Sequence, residues 1–195
     1  MAQVKKEDVR NAILDATLSL VREHGYINTT MVQIARRAGI SNANIYIYFG
    51  SKLEVFFSVY EMWLEEQVAQ LEVRVKAAAA PRDQLQILLD GLLRELPAAD
   101  NGFSNNLIQA ISTAGSSEHD PRLVIWLRQR IELLIKSAMP RMRTDAARRK
   151  RFVQFLVMVF DGCAVNHRFG SELRIDKKTV ADLVDLFDDA QPAPL

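Results

Sequence analysis

The chain has 195 residues, of which 49% are hydrophobic and 25% are charged, and its formal net charge is +1. This composition is typical of a folded globular protein and excludes an intrinsically disordered one. One cysteine, Cys163, excludes an intramolecular disulfide framework. No secretory signal is present, and the most apolar run, residues 152–165, is too short to span a bilayer, so we expect a cytoplasmic protein with no membrane partner.

Charge is distributed unevenly along the chain. The first 52 residues contain seven basic and four acidic side chains, whereas the remainder carries a small net negative charge. Such a split is typical of a small DNA-contacting module on a neutral or acidic body.

Apolar residues recur with a helical period in almost every segment, and no stretch alternates long enough to indicate a sheet. We therefore predict an all-α protein with about nine helices. The first helix runs from about Lys6 to His24 and ends at Gly25. Thr30 and Gln33 form a capping box that opens a second, short helix ending near Ala38.

A tight turn and a third helix follow. Gly39 supplies the left-handed conformation of the turn, and Ser41 caps a helix from Asn42 to about Phe49. Ser51 and Glu54 open a long fourth helix. The remaining predicted boundaries are a fifth helix stopped by Pro97, a sixth from Phe103, a seventh opened by Asp120 and reaching Ala138, an eighth capped by Thr144 and reaching about Phe169, and a ninth capped by Asp176.

Two short helices joined by a glycine-containing turn are the pattern of a DNA-binding helix-turn-helix. The chain here reads Thr-Thr-Met-Val-Gln-Ile-Ala-Arg-Arg-Ala-Gly-Ile-Ser from residue 29 and Ile-Tyr-Ile-Tyr-Phe-Gly-Ser-Lys from residue 45. These motifs resemble those of the TetR family of bacterial one-component regulators. The resemblance implies a helix-turn-helix DNA-binding domain over residues 1–50 and a ligand-binding and dimerisation domain over residues 51–195.

The resemblance also implies a function. A TetR-like protein is a homodimeric transcriptional regulator, most often a repressor, that binds palindromic operator DNA and is released by a small-molecule effector. By matched position, Asn42, Ala43, Tyr46 and Ile47 would face bases or nearby sugars, with Asn44 as a further polar candidate. Thr30, Tyr48 and Lys52 would hold phosphates.

The third helix departs from the family pattern in ways that affect recognition. Many members carry lysine at the position of Asn42, glycine or proline at Ala43, and an aromatic residue or histidine at Ile47. The helix therefore has no cation before Lys52. Asn can pair with adenine and an apolar side chain can meet a thymine methyl, so we expect few hydrogen bonds to guanine and a strong dependence on phosphate contacts and salt.

The resemblance predicts a partly apolar effector pocket between the fourth and eighth helices. The candidate lining residues are mostly apolar side chains with a few polar ones, as effector pockets tend to be. They are Trp63, Phe103, Asn106, Trp126, Met139, Phe160, Cys163 and His167. The eighth helix is apolar around most of its circumference, so we expect it to form the homodimer interface together with the ninth.

Other functions remain open. Cys163 and His167 lie four residues apart on one helix face, as a nucleophile and base would in a small helical enzyme. A buried thiol and a pocket or interface histidine explain them equally, and a ligand-binding scaffold without DNA binding is the other alternative. Glu118 to Asp120 suit a helix-capping loop better than a metal site, and the arginine-rich segment 141–151 suits a solvated face. We predict no catalytic site, metal or cofactor.

Overall fold

The computed structural model describes residues 2–100, 102–113, 121–167 and 169–187, which contain helices and no strand. The all-α prediction is confirmed. The α-helices are α1 (Ala2–His24), α2 (Met31–Arg37), α3 (Asn42–Ile45), α4 (Lys52–Ala77), α5 (Pro81–Asp90), α6 (Leu96–Ala99), α7 (Phe103–Thr113), α8 (Arg122–Ala138), α9 (Ala146–Asn166) and α10 (Lys177–Phe187). A π-helical turn, Gly91–Glu95, joins α5 and α6 into one continuous stretch, so the α-helices of the described residues form nine such stretches. Two short 3₁₀ helices, Pro140–Met142 and Ser171–Leu173, are also present.

The chain divides into two compact units. Unit 1 comprises Met1–Glu65 and Asn101–His119, and unit 2 comprises Glu66–Asp100 and Asp120–Leu195. Helix α4 begins in unit 1 and ends in unit 2. Among the described residues, no helix is both long and apolar enough to cross a membrane.

Unit 1 buries the apolar faces of its helices around a cluster of aromatic rings. Phe56 of α4 lies 5.1 Å from the ring of Tyr26 and 6.3 Å from that of Phe103, measured between centroids. Ile13, Ile34 and Ile45 from the first three helices are fully buried in the same unit. Since each helix contributes residues three or four positions apart, the helical period of the sequence accounts for this core.

Unit 2 contains a second apolar core and a set of ion pairs between helices. Glu72 of α4 is buried, and both its oxygens accept hydrogen bonds of 2.5 Å from Arg130 of α8, while Lys76 donates a third of 3.1 Å. Glu132 of α8 accepts a 3.0 Å bond from Arg149 of α9. A buried carboxylate is costly unless it is paired and hydrogen-bonded, and Glu72 is both.

The helix does not stop at Pro97, as the sequence predicted, but continues to Ala99. The π-helical turn directly before Pro97 widens the backbone, and Leu96 donates its N–H to Gly91 five residues back. A proline inside an ordinary α-helix would clash with the preceding turn. The wider turn places Pro97 at the beginning of α6, where its missing N–H is not needed.

The cap of α9 also differs from the prediction. Asp145, not Thr144, is the N-cap, and its carboxylate accepts from the backbone N–H of Arg148 at 2.8 Å. Arg149 donates to the carbonyls of Met142 and Arg143 and so fixes where the preceding loop ends. The predicted cap Asp120 lies outside the described residues, whereas Asp176 does cap α10 through a 2.7 Å bond from the N–H of Thr179.

Candidate nucleic-acid interface

The start of α2 is fixed by the capping box that the sequence predicted. The hydroxyl of Thr30 accepts from the backbone N–H of Gln33 at 3.3 Å, and the side chain of Gln33 accepts from the backbone N–H of Thr30 at 2.8 Å. Both bonds satisfy donors that the helix leaves unpaired at its first turn. The orientation of α2 is therefore set locally by two side chains.

The turn between α2 and α3 depends on Gly39. This residue has a φ of +71°, its N–H donates to Arg36, and the N–H of Ile40 donates to Ala35. This bond pattern is a Schellman motif, and glycine is favoured there because other L-residues are strained at positive φ. The turn directs the chain sharply from α2 into α3.

Helix α3 is shorter than predicted. Ser41 caps it by accepting from the N–H of Asn44 at 3.1 Å, but the α-helix ends at Ile45. Residues 46–48 continue as a tighter turn, in which Tyr48 donates to the carbonyl three residues back. The predicted helix to Phe49 is thus one α-helical turn followed by a turn of the 3₁₀ type.

Burial divides the side chains of this segment into two faces. Ile45 is 0% exposed and Phe49 is 2% exposed, whereas Tyr46 is 51% and Ile47 is 69% exposed. Asn42 and Ala43 are exposed as well, and Asn44 and Tyr48 are half-buried. We call Asn42, Ala43, Tyr46 and Ile47 the reading surface. It combines an amide, a phenol and small apolar groups, which can contact base edges and thymine methyls.

Lys52, predicted to hold a phosphate, is engaged within the protein. Its ammonium donates to the carbonyl of Tyr26 at 2.9 Å and lies 4.0 Å from the centre of the Tyr26 ring. Burial lowers the pKa of this amine from its ordinary value. The hydroxyl of Thr30 likewise donates its proton inside the capping box, to the side chain of Gln33.

The arginines of the neighbouring helix α2 were not among the predicted DNA contacts. Arg36 is exposed on α2 one turn after the exposed Gln33. Arg37 instead pairs with Glu23 of α1, and this guanidinium, aided by the hydroxyl of Ser19, lowers the pKa of the Glu23 carboxyl to about 2. The two consecutive arginines therefore differ: the second joins α1 to α2, and the first presents its charge to solvent.

Asn106 was predicted to line an effector pocket, but its amide is engaged with the segment before α2. Its Oδ1 accepts from the backbone N–H of Tyr26 at 2.7 Å, and its Nδ2 donates to the carbonyl of Gly102 at 2.9 Å. Because Lys52 holds the carbonyl of the same Tyr26, both backbone polar groups of one residue are bound by distant side chains. Tyr26 is therefore the point at which α4 and α7 hold the helix-turn-helix.

The structure brings some predicted pocket residues together and separates others. Trp63 and Phe103 stack in unit 1, with ring centroids 5.4 Å apart. Trp126 is half-buried in unit 2, and Met139, at the other end of α8, is buried about 20 Å away along the helix axis. Phe160 is buried in α9. Effector binding by these residues remains a prediction.

The surroundings of Cys163 do not favour a reactive thiolate. Burial raises the pKa of the Cys163 thiol, and burial together with Arg174 lowers the pKa of His167. A catalytic thiol needs the opposite shift. The described residues contain no group of His, Cys, Asp or Glu that could hold a metal.

Unit 2 also has an open groove that no predicted pocket residue lines. It has a volume of about 530 Å³ and lies between the second half of α4 and α6. Gln67, Gln70 and Val73 form one wall, and Leu96 and Ala99 form the other. An ion pair of 2.5 Å between Arg74 and Glu95 crosses the groove.

Comparison with known proteins identifies relatives of this chain. The family described as bacterial regulatory proteins, tetR family, matches residues 13–59. The HTH-type transcriptional regulator BetI of Agrobacterium fabrum is 28% identical over 170 residues, which cover 83% of this chain and 78% of that protein. BetI of Rhizobium meliloti is 36% identical over 90 residues, covering 46% of this chain and 44% of the other.

A solved structure has the same fold. A TetR transcription regulator from Haloarcula marismortui superimposes with a TM-score of 0.68 at 22% sequence identity, over 94% of this chain and 98% of that one. At this identity the likeness concerns the fold alone. The matched family segment contains α2, the turn at Gly39, α3 and the residues of the reading surface.

Proposed function

Since the chain is a member of the TetR family of bacterial transcriptional regulators, we propose that it is a ligand-responsive repressor that binds palindromic operator DNA as a homodimer and is released by a small-molecule effector. Residues 1–50 form the DNA-binding domain and residues 51–195 the effector-binding and dimerisation domain. The protein acts in the cytoplasm and is not an enzyme. The exposed reading surface, supported from below by the buried Ile45 and Phe49, is the observation that carries the proposal.

DNA recognition by this surface combines few base contacts with many phosphate contacts. Asn42 pairs with a base edge, and Tyr46 and Ile47 make close apolar contacts in the major groove. Thr30, Tyr48 and Lys52 bind phosphates, and Arg36 is a further candidate from α2. Thr30 must first release the side chain of Gln33, whereas Lys52 has donors beyond the one that Tyr26 accepts. Affinity then falls steeply with salt, because each neutralised phosphate releases counterions.

Dimerisation is supported by apolar side chains that remain exposed on the last two helices. Phe155 and Met158 of α9 are 52% and 60% exposed, and Leu186 of α10 is exposed as well. Residues 155 and 158 lie three apart on one helix face. A two-fold partner that presents the same face would bury them, as an isologous interface requires.

Effector control follows from the course of α4. This helix starts next to the reading surface at Lys52 and ends inside unit 2 at Ala77. An effector that binds one conformation of the C-terminal domain better shifts the spacing of the two DNA-binding domains in the dimer. A coupling of about 1 to 3 kcal/mol is typical and changes operator occupancy by tenfold or more.

The test is fluorescence anisotropy with DNA that flanks the protein's own gene. We expect nanomolar, salt-sensitive binding that is weakened at least tenfold by Tyr46→Ala or Ile47→Ala. Met62→Ala is the matched control, because Met62 is 51% exposed in the same unit but lies on α4 away from the reading surface. Equal losses in all three variants would contradict the assignment of the surface.

Sedimentation tests the dimer independently. The charged substitution Met158→Glu should convert the protein to a monomer and abolish operator binding, whereas Leu133→Glu, an equally exposed position on α8, should leave the dimer intact. A wild-type monomer at micromolar concentration would remove the geometric basis for binding two adjacent half-sites.

A further inference from the structure

One arginine of unit 2 lacks the partner that comparable arginines have. Four described arginines are half-buried or buried: Arg94, Arg128, Arg130 and Arg149. Three of them pair with a carboxylate, Arg94 with Asp90, Arg130 with Glu72, and Arg149 with Glu132. Among the described residues, Arg128 has no ion pair, and its Nε is sealed from solvent without a hydrogen-bond acceptor.

The neighbours of Arg128 on its own helix do not provide that acceptor. The residues one turn away on α8 are Val124, Ile125, Ile131 and Glu132. Three of these are apolar, and the carboxylate of Glu132 is occupied by Arg149. On α9, the position one turn after Arg149 is Val153, which is buried and also apolar. None of these described neighbours on α8 and α9 neutralises the guanidinium.

An unpaired donor of this kind indicates a group that the protein itself does not supply. A buried polar atom without a partner is rare in folded proteins, and it is costly unless a ligand, ion or water completes it. A guanidinium presents Nε and one Nη as a planar pair of donors, which matches the two oxygens of a carboxylate or a phosphate. Arg128 is half-buried as a whole residue, so an anion can approach the guanidinium from solvent. It contacts the sealed Nε once the side chains that cover this atom shift aside.

Apolar surface lies beside this donor pair. Val124 and Ile125 are both large hydrophobic side chains left exposed on α8, four and three residues before Arg128. Residues at this spacing lie on the same side of a helix. An organic molecule with an anionic end and an apolar body would therefore satisfy the guanidinium and cover this surface together.

We propose that Arg128 anchors the oxyanion, a carboxylate or a phosphate monoester, of a small organic effector whose apolar part lies along Val124 and Ile125. This proposal rests on the proposed function only in calling the bound molecule an effector. The binding site itself does not depend on DNA binding. It places the charge-recognising element of the C-terminal domain on α8.

Calorimetric titration with three probes of equal chain length tests the chemistry. We expect octanoate or octyl phosphate to bind wild-type protein saturably, and uncharged octanamide to bind at least tenfold more weakly. The better of the two anions identifies the oxyanion. Arg128→Gln should lower the affinity for that anion at least tenfold, whereas Lys136→Gln, which removes an exposed cation of the same helix, should not. Equal binding of octanamide, an unaffected Arg128→Gln variant or no binding of either anion overturns the proposal.

Two further measurements separate the possible failures. In a Trp63→Phe background, Trp126 is the sole tryptophan and lies two residues from Arg128, so its fluorescence should change on anion binding. Arg128→Met should leave the stability and dimerisation of the ligand-free protein unchanged or improved. Weaker dimerisation would show that a partner subunit uses Arg128 instead.

If operator DNA binds while neither anion does, this inference fails and the proposed function stands. If an anion binds and operator DNA does not, the proposed function fails and this inference stands.

Discussion

The two compact units are held in shape by different interactions. In unit 1, Thr30, Ser41 and Asn106 fix turns and helix starts through neutral hydrogen bonds to backbone groups. In unit 2, carboxylates and guanidinium groups such as Glu72 and Arg130 join one helix to another. Neutral bonds to the backbone are directional and do not titrate in the physiological range, whereas ion pairs respond to salt, pH and competing ions. Unit 1 also contains the ion pair of Arg37 with Glu23, but its turns and helix starts rely on directional neutral bonds. In unit 2, ion pairs between helices are the more frequent link.

The largest effect that this comparison predicts is at Glu72. In Glu72→Ala, Arg130 loses its bidentate carboxylate partner, and Lys76 loses its hydrogen bond to the same carboxylate. Breaking a buried pair costs about 3 to 5 kcal/mol, and the partial exposure of Arg130 reduces this to roughly 2 to 3 kcal/mol. Urea denaturation measures the loss. Glu65→Ala, at an exposed position of the same helix, is the control and should change stability by less than about 0.5 kcal/mol.

Replacing both charges of the Glu72–Arg130 pair with apolar side chains tests whether the pair acts through its charges. A double Glu72→Met, Arg130→Met variant should recover most of the loss, since apolar residues of similar volume often replace a buried pair at no cost. If the double variant were as unstable as Glu72→Ala, the pair would not be acting through its charges.

A smaller loss of folding stability is expected when Asn106 is replaced. Asn106→Ala leaves the buried backbone N–H of Tyr26 without an acceptor and should cost about 1 to 2 kcal/mol. Operator affinity should fall as well, because Tyr26 precedes α2 directly. Asn105→Ala is the neighbouring control: the Nδ2 of Asn105 is buried without a partner, so its removal should cost little. Thermal unfolding and anisotropy of both variants decide the matter, and equal losses would count against a specific role for Asn106.

Ser41 tests whether a cap in unit 1 controls recognition. Ser41→Ala removes the bond to the N–H of Asn44 and should destabilise by about 1 kcal/mol, while Ser41→Asp should retain it. DNA affinity should follow the same order, because α3 has a single turn and frays readily without its cap. Retained affinity in Ser41→Ala would show that DNA itself orders the segment.

The smallest predicted effect is a pH response in unit 2. Burial raises the pKa of Asp161 to about 6 from its ordinary 3.8. A carboxyl whose pKa is raised in the folded protein contributes stability in full below pH 3.8. This contribution is lost as the pH rises through 6. Asp161→Asn should therefore stabilise the protein at pH 7.5 but not at pH 3.5. Since the residue is partly exposed, the gain should stay below roughly 1 kcal/mol in chemical denaturation at the two pH values. A gain independent of pH would assign the effect to packing.

Local signals in the sequence were sufficient for the all-α fold and for the helix starts and turn of residues 30–45. The capping box at Thr30, the left-handed Gly39 and the cap at Ser41 each act within four residues, so their sequence spacing determines the backbone there. The mistaken cap at Thr144 shows the limit of such signals. Thr144 and Asp145 both suit the position, and the choice depends on Arg149, whose bonds to the preceding loop the sequence does not reveal.

Contacts between distant segments could not be predicted. Asn106 binds a backbone group 80 positions away, and an asparagine in the sequence is equally compatible with the lining of a pocket. The missing partner of Arg128 is invisible in a sequence where Glu132 stands four residues later, at the spacing of a helical ion pair. Only the structure shows that Arg149 occupies that carboxylate.

The π-helical turn has a mechanical consequence. A Cβ on Gly91 would lie 2.4 Å from a methyl carbon of Leu71, so the backbone of the turn forms a notch that accepts this side chain of α4. To slide along α4 by one helical turn, about 5.4 Å, the segment would have to lift Leu71 out of the notch. Rotation about the same point meets no such obstacle. We therefore expect Leu71 to resist sliding of this segment along α4 more than a change in its tilt.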